Sequence, residues 1–117
     1  MLLHLDLTKI LFLDIETVPQ LADYKALDKT TASLWDDKAS KISRNESTGE
    51  EIYERAGIYA EFGKIICISV GYFSLREGGK REFRMRSFYG DDEKILLTEF
   101  ADLLNNHYNS PTQLLCG

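Results

Sequence analysis

Two carboxylates, Asp14 and Glu16, stand at the end of an apolar run over residues 10–16 (ILFLDIE). The run is short, apolar and β-compatible, and reads as a buried strand. Side chains alternate along a strand, so Ile10, Phe12, Asp14 and Glu16 share one face, the two acids roughly 6.5 Å apart between Cα atoms. Two ionised acids on one face beside a core repel each other and lose hydration, and a cation compensates both costs. Hard oxygen donors at this separation suit Mg²⁺ or Mn²⁺, which take few protein carboxylates and fill their shells with water or substrate phosphate oxygens. A D-x-E at a strand end is also simply where a chain surfaces, and spacing alone does not separate the two.

Other residue types with chemical potential carry ordinary explanations beside the functional ones. Arg84 and Arg86, with Lys80 and Arg76, make a basic stripe suited to a phosphate backbone, and equally a charged edge that resists strand pairing. Tyr59 and Phe62 suit base stacking, or the pinning of a segment to a core. Trp35 lies at core-facing helical spacing. His107 near a helix end and His4 in the N-terminal segment have no partner at ligand spacing. Cys67 and Cys116 have no metal-type spacing and sit in apolar runs, so both read as buried free thiols in a reducing, cytoplasmic compartment.

The elements that position these residues can be read from local signals. Pro19 cannot donate to a ladder, so the first strand is expected to stop before it. Residues 20–63 turn polar and helical, with Leu34, Trp35, Ala39 and Ile42 near helical spacing. Ser47 and Thr48 each precede a Glu by three residues, the capping-box pattern. A helix burying Ile52, Tyr53, Ala56 and Tyr59 is expected after it. With few strongly apolar residues and several charges, this insertion is expected to be more mobile than the sheet. A second buried strand is expected over 64–73, then a turn at Glu77-Gly78-Gly79-Lys80. The strand over 81–89 puts Phe83 and Met85 on one face and Arg84 and Arg86 on the other, a hairpin with one face solvated. Gly90-Asp91-Asp92 opens a helix with an Ile95, Leu96, Phe100, Leu103, Leu104 stripe. Asn109-Ser110-Pro111 breaks it, and residues 113–116 begin another apolar strand. The last helix reads as a crossover that makes this strand parallel to its neighbour.

Composition removes several classes. The 117 residues carry 14 Lys plus Arg against 19 Asp plus Glu, a net charge of −5. That balance argues against binding nucleic acid merely as a polycation, but not against meeting phosphates through metal ions. At 44% hydrophobic and 28% charged the chain is an ordinary globular composition, of a length expected for one domain. Its apolar runs fall far short of the ~20 residues of a membrane span. No basic segment followed by an apolar one opens the chain, against a secretory signal.

The string Phe12-Leu13-Asp14-Ile15-Glu16-Thr17-Val18-Pro19 resembles the first motif, hydrophobic-D-x-E-T, of the DEDD superfamily of 3′-5′ exonucleases. The likeness extends through residues 59–71 (YAEFGKIICISVG) and 90–93 (GDDE), toward the exonucleases related to the proofreading domain of family-B DNA polymerases. It implies an α/β, ribonuclease H-like mixed sheet: three antiparallel strands, a helix and the start of a parallel strand, with a helical insertion (about 20–63) after the first strand. It further implies two-metal phosphodiester hydrolysis with Mg²⁺ or Mn²⁺, on a single-stranded 3′ end, DNA before RNA, in a setting such as DNA repair. By place in the motif, Asp14 would bridge both metals, Glu16 would hold the metal carrying the attacking water, and Thr17, Val18 and Pro19 would lie near the terminal nucleotide. The family has four acids over three motifs, and only the first two acids have counterparts here. Residues 1–117 therefore read as the N-terminal part of such a domain, inactive alone and expected to dimerise through its uncovered sheet. The alternatives are a nucleic-acid-binding module of the same fold without the chemistry, or an interaction domain docking a partner through the insertion.

Overall fold

The computed structural model describes residues 4–117. The chain divides into two compact units, one comprising the chain up to Glu16 together with Ile66–Gly117, the other Thr17–Ile65.

The first unit is built on an open four-stranded mixed sheet in the order β3-β2-β1-β4. Strand β1 spans Ile10–Pro19, β2 spans Gly63–Leu75, β3 spans Arg81–Tyr89 and β4 spans Leu114–Cys116. β2 and β3 form the expected antiparallel hairpin, in register from Cys67 opposite Tyr89 to Leu75 opposite Arg81. Its turn needs two residues at positive φ, which Gly78 (79°) and Gly79 (76°) supply without the steric penalty a side chain would bring. Helix α2, Glu93–His107, is capped by Asp92, whose side chain accepts from the Ile95 amide at 3.2 Å. It returns the chain so that β4 pairs parallel to β1, with Ile10 opposite Leu114 and Phe12 opposite Cys116. The crossover expected from the sequence is present.

Helix α2 covers one face of the sheet. Ile68 and Phe88 face each other across the hairpin, and both are buried, as are Leu11, Val70 and Leu96. Phe88 meets Phe100 of α2 edge-on at 6.1 Å. The working stripe of α2 is thus Leu96, Phe100, Leu103 and Leu104, whereas Ile95 is 57% exposed. On β3 the covered face is the one bearing Arg84, Arg86 and Phe88. Phe83 (47%) and Met85 (72%) lie on the open face, the reverse of what an apolar-in, basic-out reading implies.

The second unit has its own core. Helix α1, Lys29–Ile42, starts at Asp28, whose carboxylate accepts from the Thr31 amide at 2.8 Å. Trp35 and Ala39 of α1 are fully buried with Tyr53, Ala56 and Phe62. Trp35 donates its indole N–H to the Gly49 carbonyl at 2.8 Å, satisfying the one polar group of the ring. The capping box forms at Thr48, whose amide donates to Glu51 Oε2 while its hydroxyl accepts from the Glu51 amide. Beyond the box the chain forms a six-residue 3-10 helix, Tyr53–Ile58, in place of the expected α-helix. The buried set still includes Tyr53 and Ala56 as expected. Leu34 instead points outward, 59% exposed.

Three further expectations are corrected. β1 continues through Pro19, because a strand's last residue owes no ladder donation there and Gln20 N–H donates instead to the Phe62 carbonyl at 2.9 Å. The thiols are free, as expected, but Cys67 is half-buried and Cys116 exposed, since β4 lies on the sheet edge. For the same reason Leu114 and Leu115 of β4 stand about half exposed, at 47% and 56%. Among the described residues, no helix is long and apolar enough to cross a membrane.

Candidate functional site

β1 is an inner strand, and its burial falls along its length. Ile10 and Leu11 are buried, Phe12 and Leu13 half-buried, and Asp14 to Thr17 exposed. Phe12 packs edge-on against Phe73 at 6.3 Å and Phe83 at 6.4 Å, the ring centroids of Phe73 and Phe83 lying 4.9 Å apart. These contacts place Phe12 on the open face of the sheet, and strand alternation places Asp14 and Glu16 on that face too. Asp14 lines a cleft of about 340 Å³ there, with Phe12, Ser69, Gly71, Phe83 and Met85 among its walls. Ser69 and Ser87, opposite each other on β2 and β3, share a hydrogen bond of 2.9 Å.

Neither carboxylate has a hydrogen bond or ion pair among the described residues, and both are exposed. The hydration cost expected of acids beside a core is therefore absent, and mutual repulsion between the two is what remains. As a donor set they fit a hard divalent cation. Two unpartnered carboxylates on one strand face, open to water, leave such an ion free to keep several waters. They supply one side of a site only. No group of three or more His, Cys, Asp or Glu poised around a metal exists among the described residues.

The remaining motif residues have other partners. Thr17, Val18 and Pro19 end β1 and belong to the second unit. There the Val18 backbone lies so close to Gly57 that a Cβ on Gly57 would sit 2.8 Å from the Val18 carbonyl carbon. This stretch anchors the 3-10 helix of its own unit. Phe62 and Tyr59 are likewise committed, with Phe62 edge-on to Trp35 at 5.2 Å and Tyr59 beneath Lys38 Nζ at 4.7 Å.

Arg84 and Arg86 lie on the face of β3 away from Asp14. Arg84 pairs with Glu82 at 3.6 Å, and Glu82 also binds Arg76. Arg86 lies over the Phe88 ring at 4.5 Å. Asp14 and Glu16 thus share one strand face, and the two arginines lie on the other face of the sheet. The residues that sequence reasoning missed are Ser69, Gly71 and Phe83 as cleft walls. A glycine inside a strand, here Gly71, was the available signal of a close approach. Compared with protein-family models, with curated proteins and with solved structures, the chain matches none.

Proposed function

We propose that Asp14 and Glu16 are metal-holding carboxylates of a 3′-5′ exonuclease acting on single-stranded nucleic acid, DNA before RNA. The observation that carries this reading is the pairing itself: two exposed acids, unpartnered among the described residues, on one face of an inner strand, the first of them lining an apolar cleft. In this reading both side chains would hold Mg²⁺ or Mn²⁺, which when bound supplies charge stabilisation at the scissile phosphate. The chain's own part is to fix the spacing of the two carboxylates on a rigid strand and to leave their outer side open to substrate. Arg84 and Arg86 face away and have no part at the carboxylates.

One observation favours a second reading. Only two acids converge here among the described residues, which fits a module that binds nucleic acid without cutting it. A single assay separates the two: 5′-labelled single-stranded DNA incubated with Mn²⁺ and the protein from its full reading frame. The exonuclease reading expects a 3′-to-5′ ladder that Asp14→Ala removes. Equal ladders from Asp14→Ala and the parent overturn it, and retarded DNA with no ladder supports the binding module.

A further inference from the structure

The geometry points to a second binding site, on the α2-covered face, for a small organic anion with an aromatic or apolar body. A cleft of about 340 Å³ opens between the hairpin and the C-terminal end of α2, at the small end of the range for ligand sites. Val70, 1% exposed, and Leu103 give it apolar walls. Arg86, His107, Tyr72 and Tyr108 converge on it, and among the described residues no acidic side chain lines it.

Arg86 is the natural anchor. It has no carboxylate partner among the described residues, because the acid on the same face of β3, Glu82, is held by Arg76 and Arg84. Its guanidinium is instead seated over Phe88, which fixes the group while leaving its donor fork free. Neither tyrosine hydroxyl has a hydrogen-bond partner among the described residues. The Tyr108 phenol is pushed up from its ordinary value, first by burial and then by Tyr72, so it stays a neutral donor.

One effect opposes an anion here, the negative end of the α2 dipole. Gln113 counters it by donating its side-chain Nε2–H to the His107 carbonyl at 2.7 Å, and the Tyr108 amide covers the Leu104 carbonyl at 2.8 Å. An arginine fork and two phenols recognise a carboxylate or a phosphate alike. The apolar walls then select a ligand that carries a ring or short hydrocarbon beside the anion.

The test is calorimetric titration with phenyl phosphate, benzoate, inorganic phosphate and phenol as probes. Phenyl phosphate or benzoate is expected to bind more tightly than inorganic phosphate, and phenol to show no saturation. Which of the two aromatic anions binds better identifies the head group. Arg86→Gln is expected to weaken binding about tenfold, the scale of one charge-assisted hydrogen bond. Tyr108→Phe, a smaller change, keeps the test available if Arg86→Gln fails to fold, and is expected to weaken binding severalfold. Asp14→Asn is expected to leave binding unchanged, so the site stands or falls apart from the metal reading. No saturation by either aromatic anion overturns the inference, as does unchanged affinity in both Arg86→Gln and Tyr108→Phe.

Discussion

Gly71 lies under the ring of Phe83, so close that a Cβ on Gly71 would sit 2.3 Å from Phe83 Cζ. The contact is diagonal, for Gly71 is directly opposite Met85 and Phe83 opposite Phe73. The absent side chain is what lets Phe83 lean inward to meet Phe73 and Phe12 beside Asp14. Because Phe83 is 47% exposed, its ring has somewhere to go when displaced. Gly71→Ala is therefore expected to swing the ring toward solvent and cost about 1–2 kcal/mol in lost aromatic contacts. Urea denaturation of the double-mutant cycle checks it. In a Phe83→Ala background the same change is expected to cost nothing further, and an equal cost there overturns the account.

Trp35 is the keystone of the second unit, fully buried and touching Tyr53, Tyr59 and Phe62. Trp35→Ala is expected to cost about 3–5 kcal/mol, and Trp35→Phe less, the loss then including the bond to the Gly49 carbonyl. Against the mobility expected from composition, this core is expected to hold α1 firmly. Hydrogen exchange at 35–42 in α1 is expected to be as slow as at 66–70 in β2, and markedly faster exchange in α1 overturns this.

Asp28 caps α1 through hydrogen bonds from Thr31 that favour its charged form, first the backbone amide and then the hydroxyl. Its folded-state pKa lies below the ordinary 3.8. A depressed acid stabilises the fold fully above its unfolded-state value, and that contribution is lost as the pH falls through the lowered one. Acid titration followed by far-ultraviolet dichroism is expected to show helix loss below pH 3.8 that is smaller in Asp28→Asn, which keeps a cap that does not titrate. An identical acid limb in Asp28→Asn counts against it.

The two thiols are expected to react in order. Cys116 is exposed on the edge strand, whereas Cys67 is half-buried on β2 with its Sγ 3.7 Å from Ser69 Oγ. Thiol titration without denaturant is expected to show one fast and one slow phase. Cys116→Ser removes the fast phase, and loss of the slow one instead overturns the placement.

Asp14 and Glu16 repel each other and bind nothing else among the described residues. Asp14→Asn is therefore expected to leave the melting temperature unchanged or slightly raised without metal. Excess Mn²⁺ is expected to raise the melting temperature of the parent and not that of the variant, since a ligand stabilises only the state that binds it. Equal Mn²⁺ shifts in both proteins, read by scanning calorimetry, remove these carboxylates as the metal site.

Much of the secondary structure could be read locally, because its causes are local. Asp92 starts α2 by accepting from an amide within one turn, the apolar stripe after it marks the face to be covered, and Gly78 with Gly79 supplies the φ the hairpin turn demands. The shared face of Asp14 and Glu16 needs only the two-residue period of a strand. The 3-10 helix after Glu51 was not legible, because α and 3-10 turns share the same cap and the same apolar spacing over so short a stretch.

Alternation along β3 separates Phe83 and Met85 from Arg84 and Arg86 whatever the fold does, but it is symmetric about which set is covered. Tertiary packing decided that. α2 settled against Phe88, taking Arg86 beneath its C-terminal end and leaving Phe83 and Met85 beside Asp14. The preference comes from the contact between Phe88 and Phe100 and from the packing of α2 on β3, residues far apart in the chain. No period within one strand encodes such a choice, because the energy that makes it belongs to pairs of elements rather than to either alone.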